Sequence, residues 1–384
     1  MAKKKKELKE EKVEDVIITP EQRIGEIKRK LLEASTGTIV DTIDIDPDRT
    51  WFVTPAYGLN RILSGSLNKS IQVRTHTGLV GPETSGKSST MAILLADAQK
   101  KGFLPVVLNA EGAWDHEFVT RWGLDPTNMI MVNSMWVDDM LLKLTEWINA
   151  GMTNLAIAVD SIGALERKKM LKDAEGDGES KRIKADQGSL QKDIKRMLKL
   201  IVSLTKFNNC VAFSAGHYYG NPSGYGDPEK IGGGMYYKLS CDTILTLKKY
   251  PLYEFPNKKT NKEKGKILGN QITAMTLKNR FYPPFQEATL SINYKDGINE
   301  MAGLIDLARE LDVVKVSGSW YAFEDIKVQG GDAFALAILE KKDKFLKILE
   351  NRLKSEGYSN INEMLKNEFQ AKNKLDDVVK ELEG

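Results

Sequence analysis

Cysteine is scarce: Cys210 and Cys241 are the only two in 384 residues, far apart and outside any C-x-x-C pattern. That spacing excludes paired-thiolate motifs, and the apolar, β-like runs around both predict buried, reduced thiols in a cytosolic protein. Long hydrophobic runs are also missing. No uninterrupted apolar stretch approaches the roughly 20 residues that span a bilayer, so no membrane partner is expected. Charge of one sign is not in excess, the net being +3. Any nucleic-acid site must therefore come from local basic patches and not from a global field. No internal repeat is found. The opening segment, Met1 to Asp15, has a lysine cluster with no apolar segment after it. It predicts a solvated tail, with a weak phosphate contact as the alternative, and neither signal peptide nor anchor.

What is present is an ordinary globular composition, 41% hydrophobic and 28% charged, in a chain long enough for one large α/β domain plus a smaller one. Ile24, Ile27, Leu31 and Leu32 recur at helical spacing before a short strand candidate, Thr38 to Ile43. From Trp51 onward strands alternate with helices. Apolar runs at Thr77–Val80, Val106–Asn109, Met129–Asn133, Leu155–Asp160 and Cys210–Ala215 predict a mostly parallel central sheet covered on both faces. Runs at Thr243–Leu247, Ile272–Leu277 and Thr289–Tyr294 lie closer together and predict an antiparallel edge. Helices are expected over Ser88–Lys101, Asp138–Ala150 and Leu190–Phe207. Glu166–Gly188 and Tyr218–Tyr237 fit neither period, and both follow the carboxyl ends of strands, where open α/β sheets bind ligands. The lysine-rich stretch Lys248–Lys266 reads as an exposed hairpin. A helix over Met301–Val313, a strand over Val314–Phe323 and helices over Phe334–Gly357 predict a small α+β domain. The expected organisation is a tail over 1–18, an N-terminal helix-strand unit for oligomerisation over 19–50, a core over 51–297, the small domain over 298–370 and a mildly acidic tail over 371–384.

Gly81-Pro82-Glu83-Thr84-Ser85-Gly86-Lys87-Ser88 fits G-x-x-x-x-G-K-S/T between a β run and a helical run. Such a loop turns backbone N–H groups inward around phosphates, and Lys87 reaches the β/γ oxygens. Ser88 offers a hydroxyl to Mg²⁺, so ATP and Mg²⁺ are the expected cofactors. Leu155 to Asp160 is an apolar strand ending in a carboxylate, the expected partner of Mg²⁺. Glu111, just beyond the strand Val106–Asn109, is the candidate base for a hydrolytic water, against the reading of a strand-end surface glutamate.

The same residues resemble the RecA family. Gly81 through Ser88 with Ser89 is similar to its phosphate loop, and Asn109-Ala110-Glu111-Gly112-Ala113-Trp114-Asp115 with Gly123-Leu124-Asp125 to its catalytic-glutamate segment. Val159 to Leu165 resembles its Walker B strand. Leu277-Lys278-Asn279-Arg280, Pro283-Pro284-Phe285 and Tyr294-Lys295-Asp296-Gly297-Ile298 resemble the close of its core, and Ser317 to Tyr321 its C-terminal domain. Leu31 to Thr36 and Ser240-Cys241-Asp242-Thr243 lean toward phage UvsX proteins, a branch of the family. The ordered blocks run from about residue 25 to 357.

The resemblance implies a RecA-like P-loop ATPase core and an ATP-dependent recombinase that forms filaments on single-stranded DNA and pairs it with homologous duplex DNA. It places Phe118 and Tyr294 beside adenine, with Asp115 accepting from its amino group; aromatic packing in the core is the competing reading. It makes the two unassigned stretches DNA-binding loops. Arg167, Lys168, Lys169, Lys181 and Arg182 are the candidates in the first, where a solvated charged loop competes. Tyr218, Tyr219, Gly220, Asn221, Gly232, Gly233 and Gly234 are those in the second. Where the family has a γ-phosphate-sensing glutamine, His217 stands here, with a structural histidine as the alternative. Lys278 and Arg280 are implied to reach the γ-phosphate of a neighbouring subunit, so hydrolysis requires self-assembly. Single-strand-binding and mediator proteins are further implied partners, in a bacterial cytoplasm with phage origin left open. The competing functions are a ring helicase motor on the same fold and an ATP-gated DNA-coating regulator.

Overall fold

A computed structural model describes residues 49–168, 179–220, 229–254, 265–295 and 297–355, without the side chains of 179–187, 219, 220, 229, 230 and 332. The expected tails, and the N-terminal unit as far as residue 48, lie outside the described residues. The first half holds β1 (Trp51–Phe52), α1 (Tyr57–Ser64), β2 (Ile71–Gln72), β3 (His76–Val80), α2 (Lys87–Lys100), β4 (Leu104–Asn109), α3 (His116–Arg121), β5 (Ile130–Asn133), α4 (Val137–Asn149) and β6 (Leu155–Asp160). Next come α5 (Glu179–Phe207), β7 (Val211–Gly216), β8 (Tyr218–Gly220), β9 (Glu229–Ile231), α6 (Gly234–Ser240), β10 (Thr243–Tyr253), β11 (Ile267–Asn279), β12 (Glu287–Asn293) and β13 (Gly297–Asn299). The last are α7 (Leu304–Glu310), β14 (Lys315–Ser317), β15 (Trp320–Phe323), β16 (Ile326–Gln329), α8 (Gly331–Ile338) and α9 (342–355).

Nine described strands form one sheet in the order β13-β12-β11-β10-β3-β7-β6-β4-β5. Pairing is parallel from β10 through β5 and antiparallel from β10 to β13. The parallel centre follows from composition: β3, β6 and β7 are buried at every position, as continuous apolar runs must be when helices cover both faces. Alternation then sorts the side chains. Ala156 and Ala158 join the core with Met91, Leu94 and Leu95 of α2, while Leu155, Ile157 and Val159 join Val137, Met140 and Leu144 of α4. Ile194, Met197, Leu198 and Ile201 of α5 are buried in that second core, a stripe at helical spacing. Each such side chain stabilises the fold by about 1.5–3 kcal/mol. A third core gathers Leu304, Leu307, Phe323, Phe334, Phe345 and Leu349. Glu350 of α9 accepts from Ser66 Oγ and Leu67 N–H, both at 2.7 Å, and so ties α9 to the loop after α1.

Several expectations change in detail. Residues 179–188 of the first unassigned stretch are helical, because α5 extends toward its amino end beyond the apolar stripe. The second stretch holds the β8–β9 hairpin and α6. The strand expected over Val314–Phe323 is two, since Gly318 at φ 58° turns the chain, and β16 adds a third. The hairpin expected over Lys248–Lys266 is present as the paired ends of β10 and β11, its tip lying outside the described residues. Both cysteines are free and buried. No described helix is long and apolar enough to cross a membrane.

Candidate nucleotide-binding site

A cavity of about 1070 Å³ opens at the carboxyl ends of the parallel strands, lined by Glu83 through Ser89, Glu111, Asp160 and His217. The loop between β3 and α2 builds its floor. Gly81 is required there, because a Cβ would stand 2.5 Å from Leu247 O and 2.6 Å from Ser85 Oγ. Gly86 begins α2 without a side-chain cap, so the first N–H groups of the helix are left for a ligand. Lys87 Nζ donates to Gly81 O at 3.0 Å and to Pro82 O at 2.7 Å. Burial lowers its pKa from the usual lysine range, against the pull of Asp160, Glu111 and Glu83. Ser85 Oγ is buried with no hydrogen-bond partner.

Asp160, at the end of β6, is buried, and burial raises its pKa. Its Oδ2 accepts from Ser88 Oγ at 2.6 Å and from Trp114 Nε1 at 2.8 Å, and both bonds oppose the shift. Glu111 stands beyond β4, where its Oε1 accepts from Ser161 Oγ and lies 3.3 Å from His217 Nε2. Parallel pairing of β4 with β6 brings these groups together, with Asn109 in register with Asp160. Trp114 and Ser161 carry no local signal of a site role in the sequence, because their partners lie 46 and 50 positions away.

Across the cavity, Tyr294 lines the wall, 67% exposed, its hydroxyl 3.4 Å from Asn270 Oδ1. Asp115 and Phe118 do not line it. Asp115 caps α3 instead, Oδ1 accepting from Phe118 N–H at 2.7 Å, and the Phe118 ring packs edge-on to Trp114. An aspartate just before a helix is a strong N-cap. Arg121 and Trp122, from the end of α3 and just beyond it, line the cavity, as do Lys249, Asn270 and Ile272.

The expected DNA-binding residues divide. Arg167 pairs with Asp193 at 2.7 Å, and Lys168 pairs with Asp139, its N–H bonding Asp138 at 3.1 Å. Both cations are thus paired with acids of α5 and α4. Tyr218 is packed partly against the second core. Gly232 is buried and its N–H bonds His217 O at 2.8 Å, while Gly233 and Gly234, at φ 87° and 74°, turn the chain into α6. Gly233 and Gly234 thus serve the turn into α6. Tyr219 and Gly220 pair with Lys230 and Glu229 in the hairpin. Lys169 and Asn221 lie outside the described residues, as do the side chains of Lys181, Arg182 and Tyr219.

Lys278 and Arg280 sit at the opposite end of the sheet. Lys278 Nζ donates to Lys238 O at 2.7 Å and Cys241 O at 2.6 Å, and Arg280 pairs with Asp242 at 3.0 Å. Ile272, in the cavity wall, is six positions back along the same strand, which is roughly 20 Å at strand rise.

Comparison with known proteins agrees with this layout. The profile of the RecA N-terminal domain matches residues 65–299, and that of the RecA C-terminal domain residues 302–358. Protein RecA of Clostridioides difficile (strain 630) is 28% identical over 285 residues, covering 74% of this chain and 76% of that protein. Protein RecA of Campylobacter hominis is 26% identical over 350 residues, covering 86% and 94%. With both domains matched in order, and the phosphate loop and its carboxylates gathered at one cavity, the chain belongs to the RecA family of DNA-dependent ATPases, which form filaments on DNA in recombination and repair.

Proposed function

We propose that this chain forms filaments on single-stranded DNA, catalyses strand exchange with a homologous duplex, and binds ATP with Mg²⁺ in the cavity described. The convergence of Lys87, Ser88, Glu111, Asp160 and His217 on that cavity carries the reading. The donors suit these groups: a buried ammonium with carbonyl partners only and an uncapped helix start suit phosphates, and a hydroxyl paired with a buried carboxylate suits a hard cation.

In this reading Lys87 and the amides of Glu83 to Ser89 bind the phosphates, while Ser88 and Asp160 hold Mg²⁺. When bound, that ion neutralises phosphate charge as bonds rearrange. Trp114 keeps the Asp160 carboxylate oriented. Glu111 takes the proton of the attacking water, with Ser161 and His217 fixing its position. Tyr294 stands where the base is held. The second DNA loop reaches this carboxylate in two contacts, since Gly232 bonds His217 O and His217 contacts Glu111. DNA occupancy is thereby linked to hydrolysis. Lys278 and Arg280, remote from their own cavity, complete the site of a neighbouring protomer. Single-strand-binding and mediator proteins are further partners of such a filament, working in the cytoplasm.

The deciding experiment is strand exchange between homologous DNAs with ATP and Mg²⁺, followed by filament imaging. Homologous pairing that is lost in Lys87→Ala supports the proposal. Unwinding without pairing would assign a helicase motor, and DNA binding without DNA-stimulated turnover a coating regulator.

A further inference from the structure

We propose that Lys249 is a second phosphate-binding cation of the nucleotide cavity, carried by the β10–β11 ribbon and directed at the terminal phosphates. The inference rests on the cavity being the ATP site.

The ribbon's course places it there. β10 pairs with β3 from Thr243 to Thr246, the last pair being Thr246 with Val80. Beyond Val80 the β3 chain turns into the phosphate loop, while β10 continues to Tyr253 with β11 as its remaining partner. The two backbones nearly touch at this point, which is why Leu247 O leaves no room for a Cβ on Gly81. Leu247 packs in the core formed with α2, so alternation puts Lys249 on that same face, beside the loop, and Lys248 on the other. Lys249 Nζ donates to Thr84 Oγ1 at 3.1 Å, and Lys249 lines the same cavity as Lys87 and Ser88.

Its partner is a neutral hydroxyl. Among the described residues Lys249 has no carboxylate within ion-pair distance, whereas Lys101, Lys168 and Lys206 each have one. An ammonium held by a threonine at the rim of an anion-binding loop can move to a phosphate oxygen without breaking an ion pair. That exchange makes a charge-assisted contact from a neutral one.

Lys249→Met keeps the length of the stem and removes the charge; Lys249→Arg restores it. Binding of ATP and of ADP, each with Mg²⁺ and without DNA, is measured by calorimetry, with Lys87→Ala in parallel. The expected result is ATP affinity weakened roughly tenfold in Lys249→Met, ADP affinity changed much less, and ATP affinity regained in Lys249→Arg. Unchanged ATP affinity in Lys249→Met, while Lys87→Ala loses it, overturns the assignment. So does lost affinity for single-stranded DNA without nucleotide while ATP affinity is kept, which would make Lys249 a DNA contact. Unaltered nucleotide binding in Lys87→Ala would instead remove the cavity from the nucleotide site altogether.

Discussion

Trp114 donates its indole N–H to Asp160 Oδ2 at 2.8 Å, the oxygen that also accepts from Ser88. The bond fixes a buried carboxylate that burial pushes toward protonation. Trp114→Phe keeps the ring in the core and removes this donor. The Mg²⁺ concentration needed for half-maximal ATP turnover should rise on the order of tenfold, as for other partners that orient a metal ligand. An unchanged Mg²⁺ dependence in a folded variant would leave Trp114 a packing residue.

Glu111→Gln should separate binding from chemistry. The amide retains the shape but cannot accept a proton, so nucleotide should bind while turnover falls by about 10²–10⁴-fold. Filaments should then persist longer on DNA. Hydrolysis at the parent rate would remove Glu111 from the role of base.

The placement of Lys278 and Arg280 makes a prediction about mixtures. The double alanine variant should bind nucleotide normally and lose DNA-stimulated hydrolysis, the size of effect for a cation supplied by a neighbour being about 10³–10⁵-fold. Co-assembled with Glu111→Gln, it should recover part of the activity, because some interfaces then join an intact glutamate to intact cations. If mixtures shown to share filaments stay inactive, the cations act within their own subunit.

His76 governs a pH dependence of stability. It is fully buried, with Nε2 2.8 Å from Ser214 Oγ, and burial lowers its pKa from 6.5 to about 4. The unfolded chain therefore binds the proton more readily. Stability present above pH 6.5 is lost as pH falls through the window from 6.5 to about 4, and at pH 5 the loss is about 2 kcal/mol. His76→Gln, which retains a group for Ser214, should flatten the decline between pH 7.5 and 5. Equal slopes in denaturant titrations of the two proteins would discount His76 as the titrating group.

The chain alone determined whatever depends on contiguous residues. Gly81 to Ser88 carries its own backbone geometry, apolar runs mark the buried strands, and Glu111 and Asp160 stand at strand ends where parallel sheets place ligands. Side-chain partnerships obeyed other constraints. Asp115 sits before a helix and caps it, while Arg167 and Lys168 meet acids of α5 and α4. Only strand order brings Trp114 and Ser161 to the carboxylates, and only the register of β10 carries Lys249, 165 positions from Thr84, to the phosphate loop. Only topology puts Lys278 and Arg280 at the far end of the sheet. A local motif costs little chain entropy and is legible in a short window, whereas these contacts exist once long loops have closed and distant strands have paired.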